Sequence, residues 1–143
     1  MGKVNIARII LGGLIAGIFI YCAEGVLHMG LLKADWAAWK DIAVKAFPNR
    51  PDPNMSMTLW AVWSFVIGIV GVWIYAAIRP RYGAGVGTGL LAGLITWLAV
   101  WLPGALDCFA IGVIPHRIIV LNLAGGFVIG MLGILLGAWL YKE

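Results

Sequence analysis

The stretch IILGGLIAGIFIYCAEGVLHMGLL, residues 9–32, decides how this chain is read: in an otherwise apolar run, Glu24 and His28 are the only side chains that readily carry charge. At about 1.5 Å of rise per residue, a helix of this length crosses a hydrocarbon core of roughly 30 Å. With its short lead-in it is a first transmembrane helix over about residues 5–32. At 100° per residue, Gly17, Glu24 and His28 fall within about 60° of Gly13, so the charged pair shares the small-residue stripe. Glycines let helix backbones approach closely in lipid, and ionisable groups avoid the acyl tails. Both therefore point toward neighbouring helices.

The rest of the chain agrees with this reading. Of 143 residues, 63% are hydrophobic and 11% charged, against a charged share of about 25% in soluble domains. The net charge of +4 suits anionic lipid headgroups. No basic run interleaved with aromatics points to nucleic acid. Lys3 and Arg8 precede an apolar core as in a signal peptide, but no A-x-A site follows, so the segment is expected to stay as a span. Cys22 and Cys108 form no C-x-x-C pair and no zinc-type spacing.

Three further spans follow, over about 57–78, 86–106 and 118–140. Between the first and second, residues 33–47 are too short to cross; Trp36, Trp39, Ala43 and Phe47 recur at helical intervals, which predicts a helix lying at the membrane surface with indoles at headgroup level. Pro48, Pro51 and Pro53 then form an extended turn that stops any helix. Arg79-Pro80-Arg81-Tyr82-Gly83 is expected to end the second span, Pro103 to bend the far end of the third, and residues 107–117 to connect the third to the fourth. The fold class is an all-α integral membrane protein, a four-transmembrane-helix up-down bundle in one transmembrane domain spanning 1–143.

An internal repeat supports the count. Phe65-Val66-Ile67-Gly68 recurs 62 residues later as Phe127-Val128-Ile129-Gly130, with Gly71 matched by Gly133. Gly13-Leu14-Ile15-Ala16-Gly17 resembles Gly89-Leu90-Leu91-Ala92-Gly93, 76 residues on. The simplest account is a duplicated helical hairpin whose first copy carries the surface helix as an insertion. Positive charges divide equally between the two sides. The unopposed Lys3 and Arg8 ahead of the first helix favour both termini in the cytoplasm of a bacterial inner membrane.

Small-residue stripes mark the faces through which the helices pack: Gly13 and Gly17, Gly68 and Gly71, Gly89 and Gly93, and Gly126, Gly130, Gly133 and Gly137. The polar residues Glu24, His28, Asp107, His116, Arg117 and Asn122 are all expected toward one membrane face. Three readings of that cluster compete. In a structural network, Arg117 pairs with Glu24 or Asp107 while His28 donates to a neighbour, because an unpaired charge in lipid is costly. In a metal site, Glu24 and His28 at i, i+4 would be joined by Asp107 and His116. In a pocket for a small solute, lipid headgroup or quinone, Trp60, Trp97 and Trp101 would supply the walls. No nucleophile-and-base pattern or phosphate-cradling loop appears, so no enzyme activity is expected. His28 is the sole histidine expected within a span and does not supply two axial haem ligands.

The segments Tyr75-Ala76-Ala77-Ile78-Arg79-Pro80-Arg81-Tyr82-Gly83 and Gly137-Ala138-Trp139-Leu140-Tyr141-Lys142-Glu143, together with the Gly12–Gly17 start, resemble a group of small uncharacterised bacterial four-span membrane proteins. That resemblance implies the four-span fold and no activity. The expectation for function is a non-catalytic subunit or homo-oligomeric scaffold whose partners, beyond the bilayer, are other membrane subunits or itself. The alternative is a protein that binds or transports a small solute or cation through Glu24, His28 and Asp107.

Overall fold

The computed structural model describes residues 4–141. Asn5 begins the first helix, α1 (Ile6–Val26), by accepting the N–H of Arg8 on its side chain, so one donor left without a partner at a helix start is satisfied. A single π turn (Leu27–Leu31) extends α1, its last bond running from the N–H of Leu32 back to the carbonyl of Leu27 at 2.9 Å. At Leu32 the backbone leaves helical geometry (φ −94°, ψ 4°) and the chain turns into α2 (Lys33–Ala46).

The prolines act differently from the expectation that they only stop helices. Asp52 caps α3 (Pro53–Tyr82) by accepting the N–H groups of Asn54 and Met55, and Pro53 takes the first helical position, where its missing N–H costs nothing. The helix thus starts four residues before the expected Met57. It also continues through Pro80 and ends at Gly83, whose φ of 82° suits a residue without a side chain. Likewise α4 (Val86–Ile111) runs through Pro103 and ends at Gly112, φ 70°. α5 (His116–Trp139) follows after a short link. Asp107, His116 and Arg117, expected in a connection, are therefore all helical. A proline loses one backbone bond, which neighbouring helices in a membrane bundle offset.

Four helices are long and apolar enough to cross a membrane: Ile6–Leu31, Pro53–Tyr82, Val86–Ile111 and His116–Trp139. They form an all-α four-span bundle in which α1 packs most extensively on α3, and α4 on α5, with α1 also lying along α5; α3 and α4 share a smaller face. The glycine stripes are where they touch. A Cβ on Gly68 would meet the backbone of Gly13 and Gly17, and one on Gly93 the backbone of Gly130 and Met131. The Gly17–Gly68 and Gly93–Gly130 crossings are the positions matched by the internal repeat. A third crossing holds Gly12 of α1 against Gly137 of α5, each backbone occupying the space of the other's absent side chain. Ile20, Val72 and Ile134 are fully buried between these crossings.

Candidate functional site

Toward the end of the bundle that carries α2, the helices α1, α3, α4 and α5 line an open-sided cavity of about 600 Å³. Glu24 and His28 enter it from α1, Trp36 from α2, Trp60 and Trp63 from α3, Trp101 from α4, and Asn122 from α5. The Glu24 and His28 side chains are only 13% and 20% exposed, so their polar atoms must find partners inside the protein.

They do so in a connected set. The indole N–H of Trp101 donates to Oε1 of Glu24 at 3.0 Å. Oε2 of Glu24 lies 3.2 Å from Nε2 of His28, and the same nitrogen lies 3.1 Å from Oδ1 of Asn122. The indole N–H of Trp36 donates to Nδ1 of His28 at 3.0 Å. An indole nitrogen donates only, so Nδ1 is the acceptor, and a neutral imidazole then carries its proton on Nε2. The protonation state follows from the partners: His28 is neutral and donates toward Glu24 and Asn122. Both Glu24 oxygens consequently face donors, which is the arrangement of a carboxylate. The imidazole also stacks near Trp60, with ring centroids 6.1 Å apart.

Local sequence explains the placement. Glu24 and His28 are one helical turn apart, and the π turn begins just before His28; such turns open the helix ladder and recur at functional sites. Trp101 reaches Glu24 because α5 offers it a slot: its ring lies across Gly126 and Gly130, where a side chain on Gly126 would overlap the indole. Its other side meets Trp63 edge-on, centroids 5.3 Å apart. The hydroxyl of Ser64, on the cavity wall, donates to the carbonyl of Trp60 in its own helix.

Of the six polar residues expected together, the structure gathers Glu24, His28 and Asn122. Arg117 pairs with neither Glu24 nor Asp107. It forms an ion pair with Asp35 of α2, because α2 folds over the start of α5 and is anchored there by the Trp39 indole, which donates to the Val113 carbonyl at 2.9 Å. Asp107 is exposed; an unbroken α4 carries it about 120° around the helix from Trp101. His116 is exposed with its ring against Phe109, centroids 5.4 Å apart. The four-residue metal site therefore does not assemble, and among the described residues no three His, Cys, Asp or Glu side chains converge on a possible metal position. Trp97, expected on the cavity wall, instead donates to the Leu123 carbonyl and packs on Phe127. Trp36 and Trp63 take part without having been expected there. Trp36 was legible only as a headgroup-level indole, since no spacing along one helix links it to His28.

No protein-family model, curated protein or solved structure matches this chain.

Proposed function

We propose that the chain is a non-catalytic multi-pass protein of a bacterial inner membrane, both termini cytoplasmic, that binds a small solute in the cavity around Glu24 and His28. One observation carries the reading: a cavity of about 600 Å³, lined mostly by apolar and aromatic groups, has a partly buried, hydrogen-bonded carboxylate in its wall. Cavities of roughly 300–1,000 Å³ with apolar walls and a few convergent polar groups are the usual form of small-molecule sites. A catalytic role has less support, since both nitrogens of His28 are engaged by Trp36, Glu24 and Asn122, and none of these is a hydroxyl or thiol for the imidazole to activate. Positive charges divide equally between the two ends of the bundle, so the orientation rests on the lead-in to the first helix, where Lys3 and Arg8 are unopposed by acids; Lys3 and Lys142 lie outside the described residues.

A scaffold role has weaker support. The glycine faces through which membrane helices commonly associate are already pressed against one another within this chain.

The test uses Gly104, which borders the cavity and where an added Cβ meets nothing within 4 Å. Purified protein is titrated with dansylamide, a neutral aromatic probe that accepts excitation energy from tryptophan. Saturable energy transfer in the native protein that disappears in a folded Gly104→Phe variant is the expected result. Transfer that is unsaturable, or equal in both proteins, would refute the reading.

A further inference from the structure

The cavity wall carries charge of one sign only. Among the described residues no lysine or arginine lines it, His28 is neutral by its bond from Trp36, and Asn122 and the indoles are uncharged. Glu24, as a carboxylate accepting two hydrogen bonds, has acceptor capacity left for a third partner. Four indoles, Trp36, Trp60, Trp63 and Trp101, share the same cavity, and the negative face of an indole attracts cations. Charge and quadrupole thus select in the same direction, within apolar surroundings that strengthen both.

The kind of cation follows from what the wall lacks. A small inorganic ion would have to exchange its water shell for one carboxylate and a few aromatic faces, and among the described residues no second acidic group or free imidazole stands by to replace the lost ligands. A quaternary ammonium or phosphonium centre binds little water and brings apolar substituents of its own. We propose that the cavity takes a hydrophobic organic cation, with its charged centre beside Glu24 and its apolar groups against Trp60, Trp63 and Trp101. This rests on the small-solute reading above and names the ligand class for that site.

Tetraphenylphosphonium and tetraphenylborate have nearly the same shape and opposite charge, so isothermal titration of the whole protein with each isolates the effect of sign. The expected result is saturable binding of tetraphenylphosphonium at least tenfold tighter than of tetraphenylborate. Glu24→Gln should weaken tetraphenylphosphonium at least tenfold, while Gly104→Phe should lose both tetraphenylphosphonium and dansylamide. Equal binding of the two tetraphenyl ions, or unchanged tetraphenylphosphonium affinity in Glu24→Gln, would overturn the cation assignment; if dansylamide still enters, the cavity reading survives it. Absence of binding by all three probes would overturn both. The comparison of the two ions needs no variant, so it decides the matter even if Glu24→Gln does not fold.

Discussion

The indole N–H of Trp36 holds Nδ1 of His28 at 3.0 Å, and in doing so leaves Nε2 as the only ring nitrogen able to donate. A residue of α2 thereby sets the hydrogen-bonding direction of a side chain at the end of α1. Nitrogen-15 spectra of protein labelled at histidine should show His28 as the Nε2–H tautomer. Trp36→Phe removes the donor, and the expected outcome is a mixture of the two neutral tautomers. A pure Nδ1–H signal in the native protein would contradict the assignment.

Trp101 depends on the absence of a side chain at Gly126. Gly126→Ala is expected to push the indole off its slot, break its bond to Glu24 and cost about 1–3 kcal/mol, as overpacked cores do. Gly104→Ala supplies the contrast, because its Cβ enters open space and alanine is the better helix former by roughly 0.5–1 kcal/mol. Thermal unfolding in the same detergent should therefore separate the two variants in opposite directions from the native protein.

α2 is held over α5 by two contacts of different worth. The Asp35–Arg117 pair has its arginine side chain 61% exposed, so Asp35→Asn should cost no more than about 1 kcal/mol. Trp39 is 9% exposed and donates to the Val113 carbonyl. Trp39→Ala should cost about 3–5 kcal/mol, as large aromatic truncations in cores do. Hydrogen exchange across residues 33–46 is the measurement: fast exchange in Trp39→Ala with near-native protection in Asp35→Asn is the expected pattern.

Asp52 satisfies two N–H groups at the start of α3. Asp52→Ala should lower stability by about 1 kcal/mol, while Asp52→Asn, an equally good cap, should be nearly silent. Chemical unfolding of the two variants would reveal whether the cap or the charge matters.

Hydropathy alone located the four crossing helices, because lipid forces an unbroken apolar run of fixed minimum length on each. The i, i+4 spacing likewise put Glu24 and His28 on one face. Helix ends were harder to see. Asp52-Pro53 is a capping pair that reads equally well as a turn, and Pro80 and Pro103 lie inside helices, a position that membrane bundles tolerate better than water-soluble helices do. The partner of Arg117 could not be read at all, since three acids lie within reach of a plausible fold and only the path of α2 chooses among them. Trp36 was hidden for the same reason: the π turn and the change of direction at Leu32 bring it to His28, and neither leaves a periodic trace.

The touching backbones of Gly12 and Gly137 leave no room for a side chain between α1 and α5. A solute beside Glu24 could follow that seam only if the two helices parted where they have no side chains to yield. Traffic across the membrane by that route would thus require a second arrangement of the helices.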